Sequence, residues 1–225
     1  MPPHALGPLS TARYTANGVA FDTICVPPGR FVDGEGLGKR ELLVSRPFEL
    51  GVTLVTQALW WAVTDTRPSH FRGDDRPVDR VSWDDVQAFL VQLETLGLHG
   101  FRLPTEAEWA WAARCGMATR LAGADRDDPV AVTGQTKTAP VGSLSPSAVG
   151  AFNLSGNLFG WKQDAWLDLP PAGVDVQSLT LELGRVIRGG SWGVSRQYTK
   201  VAYRDYDDPG RRVDSVGFRL LRTTP

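Results

Sequence analysis

The sequence contains few of the residues that bind soft metals or form disulfides. It has only two cysteines, Cys25 and Cys115, and three histidines in 225 residues. The cysteines are far apart in the chain, and no two histidines share a spacing that would place both on one helix face. A zinc ribbon, a disulfide scaffold and a local transition-metal site are therefore excluded, and we expect both thiols to be buried as small apolar side chains.

An excess of charge of one sign is also lacking, as are long apolar runs. The 24 Lys and Arg residues nearly balance the 25 Asp and Glu residues, which argues against a general nucleic-acid binder. No apolar run approaches the roughly 20 residues that span a bilayer, so membrane insertion is not expected. The first residues have neither the basic region nor the apolar region of a secretory signal. We therefore expect a soluble chain of unassigned location, with a mobile tail at 1–9.

The sequence is rich in tryptophan, glycine and proline. It has 8 Trp, 24 Gly and 16 Pro, and hydrophobic residues make up 42% of the chain. This composition indicates a single domain over 1–225 in which large aromatic side chains hold many irregular segments in place.

Three helices are predicted from their capping residues and apolar spacing. Thr53 is expected to cap a helix that runs to about Thr64. Ser82 with Asp85, and Thr105 with Glu108, have the spacing of capping boxes, and the last helix should end near Gly116. Glu106 also lies close to the positive helix end, so we interpret it as a helix-stabilising acid and not as a catalytic one.

Strands are predicted where β-branched and aromatic residues are bounded by Pro or Gly. The predicted strands are Val19–Val26, Glu41–Ser45, Phe48–Val52, Arg185–Trp192 and Val216–Leu221. Two stretches without periodicity, Leu121–Val149 and Leu169–Gly184, predict surface loops.

Five short motifs follow one another along the chain. They are Pro77–Trp83, Phe101–Trp109 with Ala112–Arg114, Gly156–Trp161, Arg188–Trp192 and Gly217–Arg219. In this order they resemble the formylglycine-generating enzyme type of C-type lectin fold, also called the sulfatase-modifying-factor domain, over about residues 18–223. The resemblance implies an α+β fold of small twisted antiparallel sheets with packed helices and much irregular structure.

The resemblance leaves the activity open, because one fold hosts several functions. In the oxidase branch of the family, two cysteines after the Arg-Gly-Gly-Ser motif bind copper. Trp192–Val216 contains no cysteine, and a soft copper ion needs thiolates, so we expect no oxidase activity. The related sulfoxide synthases need several histidines and a further helical domain, which this chain does not provide. No catalytic residue is assigned.

The family also commonly binds calcium beside a Gly-Asn-Val-Trp-Glu-Trp loop. Gly160 stands where that motif has its acid, so one oxygen ligand is missing. Asn153, Asn157 and Asp164 could supply oxygens, but turns stabilised by their own side chains explain these residues as well. Calcium is left open, and no metal or cofactor is assigned.

The segment 193–216 follows the Gly-Gly-Ser-Trp motif and has no amphipathic period. It combines three tyrosines with aspartates, arginines and small residues. Tyr offers a large contact area at little entropic cost, while Ser, Gly and Asp adapt their hydrogen bonding, as in antibody combining sites. With charge near balance, the segment predicts a binding surface for a protein or peptide and not for a polyanion. Trp192 and Phe218, which bracket it, are expected to be core anchors.

This layout closely resembles the variable proteins of diversity-generating retroelements, in which adenine-directed mutagenesis rewrites asparagine codons of this segment. The resemblance implies a fixed frame of Lys200, Ala202, Arg204, Pro209, Arg212, Gly217 and Phe218. The candidate varied, ligand-binding positions are Gly193, Val194, Ser195, Tyr198, Tyr203, Asp205, Asp207, Arg211, Val213, Asp214 and Ser215. None is Lys, Gln, Glu, Met or Trp, the residues that changing the adenines of an Asn codon cannot produce.

The sequence thus favours a non-enzymatic, receptor-like binding protein of a bacterium or its phage that displays a diversified C-terminal surface. Two alternatives stay open. One is a cysteine-independent enzyme of the same family, and the other is an inactive accessory domain with a fixed protein partner, in which 193–216 is an ordinary loop.

Overall fold

The computed structural model describes residues 9–114, 121–122, 131–180 and 183–223. The strands within these ranges are β1 (Thr11–Ala16), β2 (Val19–Val26), β3 (Gly29–Asp33), β4 (Arg40–Val44), β5 (Phe48–Gly51), β6 (Phe101–Arg102), β7 (Ala131–Val132), β8 (Ser155–Gly156), β9 (Phe159–Ala165), β10 (Gly173–Val174), β11 (Arg185–Arg188), β12 (Asp205–Asp207), β13 (Val216–Gly217) and β14 (Leu221–Thr223). The α-helices are α1 (Gln57–Thr64), α2 (Trp83–Thr95) and α3 (Glu106–Arg114).

The strands form several small sheets. A five-stranded sheet has the order β1-β2-β5-β14-β6, and a four-stranded sheet has the order β12-β11-β9-β13. A three-stranded sheet, β10-β4-β3, and the pair β7-β8 complete the arrangement. The expected α+β class with small sheets is confirmed. In addition, three short pairings, β10 with β4, β13 with β9 and β7 with β8, are parallel.

Two of the three helix starts are confirmed. Ser82 and Asp85 form the expected capping box of α2, with both reciprocal hydrogen bonds present. The Thr105 hydroxyl accepts from Glu108 N–H, and the Glu108 carboxylate accepts from Thr105 N–H. The start of α1 was predicted three residues too early. Thr56 caps this helix, because the backbone at 53–55 is already engaged, with Val55 N–H bonded to the Phe218 carbonyl.

Other differences follow from contacts that the local pattern does not show. β1 was not predicted; it pairs with β2 through a turn at Asn17 and Gly18, both with positive φ. The predicted loops contain β7 and β10, and Val132 and Val149 are buried in the first of them. Cys25 is only half-buried. Residues 1–8, Cys115 and Gly116 lie outside the described residues.

Two hydrophobic clusters support the fold. One lies between α3 and the strands β2–β5, and the other joins α1 and α2 to the four-stranded sheet. Trp161 and Phe218 are fully buried in the second cluster, as expected for Phe218. Trp192 is only half-buried, so its interpretation as a core anchor is wrong in part. It packs against Phe71, and its indole N–H donates to the Asp214 carbonyl within the candidate segment.

Trp161→Ala should lower the free energy of unfolding by about 3–5 kcal/mol, because it leaves a large cavity and an unpaired Val81 carbonyl. Chemical denaturation measures this change. Trp61, whose side chain is 44% exposed, provides the control, and Trp61→Ala should cost far less. Equal losses for the two variants would contradict this assignment of the core.

Candidate functional site

The candidate binding surface consists of the eleven positions between Gly193 and Ser215. None of them is buried: Gly193, Ser195, Tyr198 and Arg211 are exposed, and Val194, Tyr203, Asp205, Asp207, Val213, Asp214 and Ser215 are half-buried. Other residues of the segment anchor the chain, because Thr199 and Val201 are completely buried between exposed or half-buried neighbours. The segment therefore lies over the core with part of each candidate residue open to solvent.

Backbone contacts fix the path of this segment. The Val201 carbonyl accepts from Arg188, and the Pro209 carbonyl accepts from Asp84 N–H at the start of α2. Further on, the Val213 and Ser215 carbonyls accept from Arg80 N–H and Phe159 N–H. Since these bonds use only carbonyl oxygens of the segment, they are compatible with many side chains at the same positions.

Some candidate side chains contact each other in two groups. The rings of Tyr198 and Tyr203 meet edge to face at 5.1 Å, and the Tyr203 hydroxyl donates to Asp205 at 3.1 Å. Burial and the neighbouring Asp205 raise the pKa of Tyr203 to about 12, so this hydroxyl stays protonated. Arg211 and Asp207 form the second group, at 3.2 Å.

Some candidate positions also contribute to the packing of the core. Val194, Tyr203 and Val213 pack against the second hydrophobic cluster, and the Tyr203 ring lies 6.4 Å from that of Phe159. Substitutions at these positions will therefore affect stability as well as contact chemistry. The frame residue Arg212 forms a bidentate pair with Asp85, the capping-box acid of α2, with both distances 2.6 Å.

A buried ion cluster underlies the segment. The Glu106 carboxylate, 4% exposed, binds the guanidinium groups of Arg188, Arg204 and Arg40. Arg204 approaches with its Nε at 2.6 Å and also donates to the Leu167 carbonyl. Burial alone would raise the pKa of Glu106, but the three guanidinium groups outweigh it and lower this pKa. Glu106 lies in the first turn of α3, as predicted, and its carboxylate in addition joins these arginines.

Asp33 is the second acid of the cluster. It is completely buried and pairs with Arg114 at 2.9 Å and with Arg40 at 3.3 Å. Burial opposes ionisation of Asp33, but Arg188, Arg114 and Arg40 hold its pKa at about 2. The described cluster thus brings four guanidinium groups to two carboxylates.

Of the residues considered for calcium, Asn157 and Asp164 are engaged within the protein, whereas the buried Asn153 side chain has no hydrogen-bond partner among the described residues. The Asn157 side chain is engaged with both the N–H and the carbonyl of Ala139. Asp164 uses both oxygens to accept from Glu106 N–H and Ser178 N–H. At Gly160 the carbonyl accepts from Lys162 Nζ, which lies only 3.1 Å from where a Cβ would be. The Lys162 amine therefore lies beside the position at which the family motif has an acid.

Lys162 is completely buried against Trp109, with Nζ 5.0 Å from the ring centre. Burial, together with the nearby Arg188 and Arg219, lowers its pKa well below the usual value. Burial and the neighbouring guanidinium groups thus disfavour the charged form of this amine.

Asp164 connects α3 to the segment that follows β9. Its two backbone donors come from the first residue of α3 and from Ser178. Burial raises the pKa of Asp164 to about 6, in spite of these two hydrogen bonds. The segment also accepts from Arg40 at the Pro171 carbonyl, so polar contacts hold it over the ion cluster.

Sequence reasoning missed this cluster because its members lie far apart in the chain. Arg40 and Asp33 flank a short turn region, and no local spacing connects them to Glu106. Glu106, Arg114, Arg188 and Arg204 belong to the motifs or the fixed frame identified in the sequence, whereas Asp33 and Arg40 belong to neither.

The sheet arrangement, the three capped helices and the irregular C-terminal segment define a C-type lectin fold of the formylglycine-generating enzyme subtype. Residues 11–224 match the family model described as the sulfatase-modifying factor enzyme 1-like domain, and the chain belongs to this family. None of the helices within the described ranges has the length and apolar character needed to cross a bilayer.

Three similar proteins represent different branches. The formylglycine-generating enzyme of Thermomonospora curvata is 28% identical over 95% of this chain and 82% of its own length. The solved structure of Treponema denticola variable protein 1 has a TM-score of 0.88 at 28% identity, covering 95% of this chain and 99% of that one. PvdO from Pseudomonas aeruginosa, at 23% identity and a TM-score of 0.83, covers 98% of this chain and 100% of its own, and shows the fold alone. Both resemblances drawn from the sequence, to the enzyme family and to variable proteins, are confirmed.

Glu106→Gln should lower the free energy of unfolding by about 3–5 kcal/mol, because it leaves buried guanidinium groups without a counter-charge. Denaturant titration measures the loss. Glu108→Gln is the matched control on the same helix, where the acid pairs with the more exposed Arg102, and its cost should be about 1 kcal/mol. Similar costs for the two variants would show that the buried cluster contributes no special stability.

Asp164 should make the protein less stable as the pH rises from about 4 to about 6. In that range the folded protein still holds the Asp164 proton, whereas the unfolded chain has lost it. The native protein should therefore be more stable than Asp164→Asn at pH 4.5, and this advantage should shrink as the pH rises to 7. Asp22→Asn is the control, because the pKa of Asp22 is lowered by its hydrogen bond with Arg13, and its difference should not shrink. A native advantage over Asp164→Asn that grows with pH would refute the assignment.

Proposed function

We propose that this protein binds a protein or peptide ligand through the surface formed by 193–216 and that it catalyses no reaction. The observation that carries the proposal is the separation of roles within this segment. Its carbonyl groups, Thr199 and Val201 are tied to the interior, while all eleven candidate positions keep contact with solvent.

The chemistry of the surface supports a protein ligand. Tyr198 and Tyr206 are large, partly exposed aromatic side chains, of the kind that provides binding energy in protein interfaces. Exposed Arg211 and Arg212 are paired with Asp207 and Asp85, so they do not form a free basic surface for a polyanion.

We further propose that the segment is diversified by a retroelement. The likeness to Treponema denticola variable protein 1 over nearly the whole of both chains supports this proposal. The decisive observation is the neighbouring DNA: a near-copy of the 3′ coding segment, differing chiefly at adenines, beside a reverse transcriptase gene. If neither is present, the surface could still bind a fixed partner, but the retroelement origin would be wrong.

An enzyme of the same family is the second candidate, favoured by the 28% identity to a formylglycine-generating enzyme over 95% of the chain. The segment Trp192–Val216 lacks the cysteines that the oxidase branch uses. The two candidates differ in what purified protein does after incubation with copper. Stoichiometric copper binding with oxidation of a cysteine-containing peptide would refute the binding proposal, and an inert protein would support it.

Simultaneous replacement of Ser195, Tyr198 and Arg211 by Ala should change the melting temperature by no more than about 2 °C, because exposed side chains contribute little to stability. Tyr203→Ala should lower it by more, since this ring packs against Phe159. Differential scanning calorimetry measures both changes.

Binding capacity can be tested on the same positions. A displayed library randomised at Ser195, Tyr198 and Arg211 should yield folded binders to an immobilised test protein such as lysozyme. A control library randomised at Val91, Gln92 and Thr95, exposed on α2, should yield fewer. Loss of folding in most members of the first library would contradict the proposed surface.

A further inference from the structure

The outer edge of the four-stranded sheet carries two backbone donors that side chains of the same strand occupy. β12 is the end strand, and within the described residues it pairs only with β11. Tyr206 N–H donates to Asp205 Oδ1 at 2.9 Å, and Asp208 N–H donates to Asp207 Oδ1 at 2.9 Å. Alternate residues of a strand direct their N–H groups to the same side, and here that side carries two carboxylates.

Further contacts hold these carboxylates in position. Asp205 also accepts from the Tyr203 hydroxyl, and Asp207 also accepts from Arg211 Nη1 at 3.2 Å. The strand centre is fixed as well, because the Tyr206 ring packs on Trp166 with centres 4.9 Å apart. The two aspartates are therefore ordered acceptors on an ordered edge.

The unpaired edge of a sheet is, in general, a template for pairing with a strand of another chain. The sequence Asp205-Tyr206-Asp207 reads the same in both directions, so a second copy could pair with it antiparallel about a two-fold axis at Tyr206. Such pairing would place Asp205 of each copy opposite Asp207 of the other. Like charges directly opposite each other on neighbouring strands are destabilising.

We propose that Asp205 and Asp207 close this edge against strand addition by a second copy of the chain. They do so in two ways: each occupies the N–H that an added strand would need, and the pair repels its own image. This role concerns the same surface as the proposed ligand binding, but it does not depend on that function or on diversification.

The proposal gives positions 205 and 207 a constraint that the other candidate positions lack. An acceptor side chain there keeps the edge closed, whereas an apolar side chain opens it. Asn retains the oxygen acceptor without the charge, and Ala removes both, so these substitutions separate the two effects.

Sedimentation velocity over a range of concentrations tests the proposal on the full chain. Asp205→Ala/Asp207→Ala should self-associate at least about tenfold more strongly than the native protein, and Asp205→Asn/Asp207→Asn should lie between them. Adding Tyr206→Pro to the Ala pair should abolish the gain, because it removes one edge donor, and proline is tolerated where a strand N–H faces solvent. Tyr206→Phe, which keeps the N–H, is its matched control.

Hydrogen exchange at low protein concentration provides a second measurement, independent of association. The amides of Tyr206 and Asp208 should exchange faster in the Ala pair than in the Asn pair, with melting curves confirming that both variants fold. The proposal is overturned if the Ala pair sediments like the native protein, or if these two amides exchange equally in both variants.

Discussion

The binding of Glu106 to three arginines is the interaction on which the arrangement of the molecule depends. Its carboxylate, at the start of α3, receives guanidinium groups from Arg40 on β4, from Arg188 on β11 and from Arg204 just before β12. One buried acid thus joins a helix to two sheets and to the C-terminal segment. Because a buried charge without partners is very costly, all of these elements must be in place together.

This anchoring separates stability from surface chemistry. Arg204 and Val201 connect the C-terminal segment to the interior through Glu106 and Arg188, while the candidate side chains keep part of their surface open to solvent. A binding surface built in this way can change its composition without changing its path. The separation is incomplete, because Tyr203 and Val213 also pack against the core, and Asp205 and Asp207 occupy donors of the sheet edge.

The family contains enzymes as well as proteins named for their variability, so membership alone does not settle what this chain does. The interior offers one physical difference that bears on the question. Lys162 places an amine beside Gly160, where the family motif has an acid, and the neighbouring Asn157 and Asp164 are already committed to backbone partners. The loop is thus held by its own hydrogen bonds.

The sequence by itself determined the capping boxes at Ser82 and Thr105, the strands β2, β4 and β5 and the order of motifs that identifies the family, because these depend on local spacing. The Asn17-Gly18 turn that leads from β1 to β2 is likewise a local signal. The strand predicted over Arg185–Trp192 ends at Arg188, and the one predicted over Val216–Leu221 is divided between β13 and β14 in different sheets. Only the tertiary structure decided that α1 starts after Thr56, that Trp192 lies half in solvent and that Glu106 binds arginines. Those outcomes depend on partners far away in the chain, and no local pattern specifies which distant groups will meet a buried charge.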